Sequence, residues 1–302
     1  MAGVATPDRW QHMAERGSVI GIRVVVVMAT LLGRSLTSLV LPLIAAWYAL
    51  LDGRVRRASF DYLRRIHGRA TLGQVIRHLR CFAQVTLDRL FLLRGRASLF
   101  EISTHGEEYL ATLAQEHRGA ILVIAHLGSF EVMRGLSGAR QLPVNVLGYF
   151  QNAPLINAVL RGLNPEVDAR FIQIRPGDPT FVFEVEDRVR AGEMVGTMGD
   201  RVGFDGKGLR VPFLGGDALF PTGPYLLAAL LRCPIYLAFG LYRAPNRYEL
   251  YCEPFAERVE LQRGHREEAL RPLVARYATR LEAYCRLAPE NWFNFYDFWS
   301  GS

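Results

Sequence analysis

Cysteine is scarce in this chain. Four of them, Cys81, Cys233, Cys252 and Cys285, are scattered through 302 residues with no Cys-x-x-Cys pair. That argues against a disulfide framework and for reduced, buried thiols in a cytoplasmic setting. Zinc-type His/Cys spacing is absent. No Gly-x-Ser-x-Gly elbow is present, which speaks against a serine nucleophile. The sequence shows no internal repeat, low-complexity tract or long linker. Charge of one sign is also thin. Between Arg54 and Arg96 there are eleven arginines against only two acids, Asp61 and Asp88. From Val24 to Leu51 the only charge is Arg34, and residues 35–51 carry none.

These imbalances bear on where the protein works. Half the residues are hydrophobic, and the mean hydropathy of +0.09 is high for a freely soluble enzyme. The apolar stretch at 19–51 is the membrane candidate. Its uncharged run is at the short end for a span, Pro42 would kink it, and Ser35, Thr37 and Ser38 soften it. Three readings fit: a span, a helical hairpin in the interface, or helix buried in protein. A cleaved signal peptide fits poorly, because Arg34 interrupts the stretch and no small-x-small site follows. The arginine block beside it favours a cytoplasmic face and anionic lipids. A solvated helix face is the plainer reading, since Val55, Ala58, Tyr62 and Ile66 keep a helical rhythm. The net charge of +7 (36 basic, 29 acidic) comes largely from this block. Nucleic acid is disfavoured as a partner, because no zinc finger, RNP-like motif or helix-turn-helix accompanies the charge.

The remainder alternates. Helical patterns fill 54–95 and 106–117. Strand-like runs follow at 120–125, 143–149, 169–174, 194–198, 234–241 and 247–253. Helical stretches lie around 130–138, 154–162, 179–191, 222–232 and 266–287. This order predicts an α/β fold, a mostly parallel central sheet flanked by helices. Residues 1–52 would be an N-terminal membrane-associating helical segment and 53–302 one catalytic domain.

His126 carries the most information. It ends the apolar run 119–125, and Gly128 and Ser129 mark a tight turn before a helical stretch that begins near Glu131. Of the seven histidines, only His126 has an acid five residues on. A carboxylate there can accept the Nδ1 proton and leave Nε2 free as a base. The alternative is a histidine that caps a strand and bonds the backbone.

Ala125-His126-Leu127-Gly128-Ser129-Phe130-Glu131 resembles the His-x4-Asp/Glu motif of the lysophospholipid acyltransferase superfamily. It is most similar to the glutamate form in bacterial lipid A biosynthesis acyltransferases, with Ser129-Phe130 in place of Asn-Trp. Gly199-Asp200-Arg201, Gly208–Gly216 and Pro221–Pro224 resemble that family's Asp-Arg/Gln and Pro-Phe-x-Gly region. The stretch Asn291–Trp299 resembles the ending of a predicted bacterial subgroup, and Trp10, Glu15–Ser18 and Arg57–Ser59 fit it too. The Pro-Glu-Gly-Thr-Arg block of glycerophosphate acyltransferases is absent, which points away from a simple glycerol-phosphate acceptor.

The resemblance implies a membrane-associated O-acyltransferase on the cytoplasmic face of a bacterial inner membrane. An acyl chain would pass from acyl carrier protein or coenzyme A, as co-substrate and without other cofactor, to a hydroxyl of a lipid or glycolipid. His126 would be the general base and Glu131 its orienting acid. Oxyanion donors would be the amides of the Gly128 turn and helix start, or Arg201, for which an ion pair with Asp200 or a nearby acid is the structural alternative. Gly128, Ser129, Arg134, Asp200 and Arg201 are the candidate substrate contacts. Arg134 would neutralise a donor phosphate or pair with Glu131. Asn152, Asn157 and Arg175 are weaker loop candidates. The aromatic tail at 292–299 would seal the core, or else touch lipid. A thioester or ester hydrolase using the same dyad, and a non-enzymatic lipid-binding protein, are the alternatives.

Overall fold

The central strands are buried at almost every position, and successive side chains enter two different cores. The computed structural model describes residues 19–132, 143–149, 170–203, 206–262 and 264–299. Among these the strands are β1 (Glu101–His105), β2 (Ala120–Ile124), β3 (Val144–Gly148), β4 (Phe171–Gln173), β5 (Met194–Met198), β6 (Gly208–Phe213), β7 (Gly216–Pro221), β8 (Ile235–Arg243) and β9 (Arg247–Ala256). The large sheet runs β1-β9-β8-β2-β5-β3-β4, and β6 and β7 pair as a separate antiparallel hairpin. Within the large sheet only β8–β9 is antiparallel.

Ile121, Val123, Val195, Ile235 and Leu237 enter one core. Ala120, Leu122, Ile124, Met194 and Tyr236 enter the other. A strand buried on both faces needs apolar residues at every position, which is why β2 reads as an unbroken apolar run. The first core is covered by α6 (Phe181–Arg190), α7 (Gly223–Leu231) and α8 (Arg266–Leu287) through residues such as Val185, Tyr225, Val274 and Leu281. The second is covered by α4 (Leu72–Leu93) and α5 (Glu107–Gln115), through Phe91, Leu92 and Leu113.

The α/β class and mostly parallel sheet agree with the sequence reading. Its single helical block at 54–95 divides into α3 (Gly53–His67) and α4. Gly68 ends α3 in a left-handed conformation. Thr71 then starts α4 with a capping box: its hydroxyl accepts from the Gln74 N–H, and the Gln74 side chain accepts from the Thr71 N–H. The edge strand β1 and the β6–β7 hairpin were not anticipated. β1 is polar at every position but Ile102, so period-two hydrophobicity gives it no signal. Arg134, Asn152, Asn157, Trp10 and Glu15–Ser18 lie outside the described residues, as do most of the helices expected at 130–138 and 154–162.

The apolar N-terminal stretch folds as α1 (Val19–Ser38), kinked at Gly33, and α2 (Leu41–Leu51). Pro42 sits in the first turn of α2, where its missing N–H costs nothing. The two helices meet at 82°, and no single described helix is long and apolar enough to cross a membrane. Arg34, the lone charge, turns into the protein. Its guanidinium pairs with both oxygens of Asp88 on α4 (2.8 and 3.0 Å) and donates to the Pro245 carbonyl at 2.6 Å. Asp88 is fully buried and also accepts from Gln84 and from the Tyr248 hydroxyl, both at 2.8 Å. The opposite faces of the elbow are open: Leu31, Leu39, Leu43, Trp47 and Leu50 are all more than half exposed.

Removing one partner of a buried ion pair strands the other charge. Arg34→Met is therefore expected to cost about 3–5 kcal/mol of stability in equilibrium denaturation. The double variant Arg34→Met/Asp88→Leu should recover much of that loss.

Candidate active site

Strand register brings the reactive groups together. β2 and β5 are parallel neighbours with Ile124 opposite Met198. Two residues beyond each stand His126 and Asp200, at the carboxyl ends of the strands where open α/β sheets place their ligands. The Asp200 carboxylate holds residue 126 twice. Oδ2 accepts the His126 backbone N–H at 2.9 Å, and Oδ1 accepts from Nδ1 of the ring at 2.9 Å. The indole N–H of Trp292 adds a third bond to Oδ2 at 3.0 Å. A carboxylate can only accept here, so Nδ1 carries the proton and Nε2 the lone pair.

Burial and charge set the protonation states. Asp200 is wholly buried, whereas the His126 side chain is 27 % exposed. Burial pushes the Asp200 carboxyl up, but the facing His126, its hydrogen bonds and the Arg201 charge together hold it below the ordinary carboxylate value. Burial and then the nearby Arg201 charge lower His126 below 6.5, and Asp200 offsets this only in part. At neutral pH the pair is thus a neutral imidazole on an ionised carboxylate.

The loop beneath the ring is fixed by backbone contacts. The N–H of Gly128 donates to Asn291 O (2.8 Å), that of Ser129 to Gly240 O (2.7 Å), and that of Phe293 to His126 O (2.7 Å). Gly128 has φ +64°, and a Cβ there would lie 1.8 Å from the Gly240 carbonyl oxygen. Only glycine fits this left-handed, closely approached position. Residues 291–293 thus form a strap across 126–128, tied also by Asn291, whose side chain brackets the N–H and C=O of Tyr242.

Several expected contacts differ in the structure. Glu131 does not hold the imidazole: its carboxylate lies 2.6 Å from Arg89 of α4. The Gly128 turn spends its backbone on the strap and on β8, and residues 130–132 are already helical. In this arrangement Glu131 pairs with α4, and the carboxylate that meets the imidazole comes from the end of the neighbouring strand. Asp200, expected among the substrate contacts, lies fully buried beneath the ring and bonds its Nδ1. The amides of Gly128 and Ser129 donate to the backbone carbonyls of Asn291 and Gly240. Ser129 is itself buried. Arg201 is at the site. It donates to Phe293 O at 3.1 Å, lies 5.7 Å from the Tyr296 ring, and acts on His126 through its charge. Arg175 stands exposed in the turn after β4. In the aromatic tail, Trp292, Phe293, Phe298 and Trp299 are buried, which seals the core as the first reading held.

One contributor had no sequence signal. His78 is fully buried on α4, with Nε2 2.8 Å from the Trp292 carbonyl and Nδ1 2.8 Å from the Ser59 hydroxyl. A carbonyl only accepts, so Nε2 donates and Nδ1 takes the serine hydrogen. The helical pattern of 72–93 marks His78 as a core position and nothing more.

The family-wide sequence model for bacterial lipid A biosynthesis acyltransferases matches residues 75–300. The chain belongs to that family. This lipid A biosynthesis acyltransferase family member is an acyltransferase, and its family acts on lipid acceptors. The matched region takes in His126, Asp200 and the strap, and it leaves out α1–α3. No match was found among curated proteins.

Burial holds His78 at about 4, against an ordinary value of 6.5. The unfolded chain therefore binds a proton that the folded chain refuses, and stability falls as pH drops from about 6.5 to about 4. The full span corresponds to about 3 kcal/mol. His78→Gln, which keeps a donor for Trp292, should be less stable at pH 7 yet show a flatter melting-temperature profile across this window.

Proposed function

We propose that this acyltransferase moves an acyl chain from an acyl carrier protein or coenzyme A thioester to a hydroxyl of a lipid or glycolipid, with His126 as general base. The observation that carries this reading is a partly open, neutral imidazole whose Nδ1–H is fixed by buried Asp200. Nε2 takes the hydroxyl proton as the acceptor oxygen attacks the thioester carbonyl. The resulting oxyanion collapses, the carbon–sulfur bond breaks, and the imidazolium returns its proton to the departing thiolate. Asp200 keeps the tautomer and stabilises the transient cation. Arg201, beside the imidazole, and the amides at the helix start, 130–132, are the oxyanion donors in this scheme. Glu131 with Arg89 braces the loop against α4.

Residues 53–302 form the catalytic unit in this reading, and residues 1–52 associate with the membrane. The elbow of α1 and α2 lies in the interface on the cytoplasmic face of a bacterial inner membrane. Supporting this are the 82° bend, the outward leucines and Trp47, and Arg34 withdrawn into an ion pair. Exposed Arg54 and Arg57 follow directly and suit anionic headgroups.

Thiol release from an acyl thioester, measured with and without an acceptor alcohol, tests the chemistry. His126→Ala should lower the acceptor-dependent rate by roughly 10²–10⁴-fold. Asp200→Asn should lose at least about 10²-fold through the wrong tautomer, whereas Glu131→Gln should lose far less. A dead Glu131→Gln beside a normal Asp200→Asn would reject the assignment. In the parent enzyme kcat/KM should rise with pH through a value below 6.5 and level off by neutrality. Leu31→Glu/Leu39→Glu/Leu43→Glu should release the protein from anionic vesicles while leaving thiol release from a soluble thioester intact. Unchanged vesicle binding would reject the elbow's role.

A further inference from the structure

The carboxylate of Asp200 receives three N–H donors, and they differ in kind. Two come from residue 126 itself, one from its backbone and one from its ring. The third, from the Trp292 indole, arrives from a segment 92 residues away in sequence. Trp292 is completely buried, and aromatic rings pack on it from several sides: Tyr62 at 5.0 Å, Phe213 at 5.3 Å, Phe298 at 4.9 Å. Its carbonyl is held by the donating Nε2 of His78 at 2.8 Å. Its neighbour Phe293 bonds the carbonyl of His126. The indole is therefore fixed at both its backbone and its ring, with its one polar hydrogen aimed at the oxygen not engaged by the imidazole.

A donor on a carboxylate draws off part of its negative charge. That charge is what stabilises an imidazolium on Asp200. We propose that Trp292 is a positioning residue that sets the basicity of His126: its indole N–H moderates Asp200, so the imidazole stays neutral and ready to accept a proton at working pH. The inference rests on the general-base role proposed above for His126. Other ionisable groups face the pair from every side. Arg201 follows Asp200 on the same loop, Tyr277 and Cys285 approach from α8, and Tyr296 comes from the tail. Glu131 and Arg89 lie together beyond the turn, and His78 stands behind Trp292. None of these donates a hydrogen bond to Asp200 among the described residues, so none takes the place of the indole donor when it is deleted.

The test is a direct titration of His126 by NMR of the full chain carrying labelled histidine, run beside the pH dependence of kcat/KM. Trp292→Phe removes the donor and keeps an aromatic ring. Incorporation of benzothienylalanine at position 292 removes it while nearly preserving the shape, and it carries the test if the phenylalanine variant does not fold. Trp299→Phe is the control, since that buried indole donates to Phe213 O and not to Asp200. The expected result is a His126 titration moved upward by roughly 0.5–1 pH unit in the position-292 variants, with the acid limb of kcat/KM following. Trp299→Phe should leave both where they were. Position-292 variants that titrate like the parent, or a Trp299→Phe shift of equal size, would overturn the inference. His126→Ala separates the two claims. If it abolishes transfer while the titration is unmoved, the base stands and the tuning falls. If it transfers normally, the base assignment itself falls.

Discussion

A single buried carboxylate ties three segments of this molecule to one point. Asp200 has no access to water, yet it is held ionised because both oxygens are filled by N–H donors. An uncompensated charge at that depth would cost several kcal/mol. The cost is met by binding the loop after β2, its imidazole, and the strap at 291–293 to one point. Tautomer, loop conformation and the path of the aromatic tail are therefore not independent choices. Each supplies a donor that the carboxylate needs, and each is positioned by supplying it.

Much of the fold could be read from the chain. The runs at 120–124 and 194–198 announced themselves as strands because both faces of β2 and β5 are covered. His126 stood out because a strand end and a glycine turn surround it. Its partner did not stand out, for a physical reason. Local spacing favoured Glu131, five residues away, but a hydrogen bond across a parallel sheet depends on which strands are neighbours. Asp200 follows β5 by the same two residues that separate His126 from β2. That symmetry is visible in the sequence only once the strand order is known. His78 was less accessible still: a histidine on the buried face of a helix looks like core until the carbonyl it meets, 214 residues distant, is identified.

The N-terminal stretch shows the opposite limit. Its composition allowed a span, an interfacial hairpin or buried helix, and the structure shows a bent helix pair with one buried and one open face. One face of the elbow is protein interior, with Ala29, Leu41, Ala45 and Ala49 nearly inaccessible. The other is leucine-rich and open. Arg34 decides which face is which, because a guanidinium with a fully buried acid to pair with has no reason to seek water. The charge that looked like an interruption of the apolar run is what fastens it.

α4 links these two regions. It carries Asp88, which grips the elbow, and also His78 and Arg89, which support the strap and Glu131. One helix thus carries Asp88 and Arg89 side by side towards its C-terminal end and His78 nearer its start, and so touches the α1–α2 elbow, Glu131 and the strap at once. A displacement of this helix would therefore disturb the Arg34–Asp88 pair and the His78–Trp292 bond together.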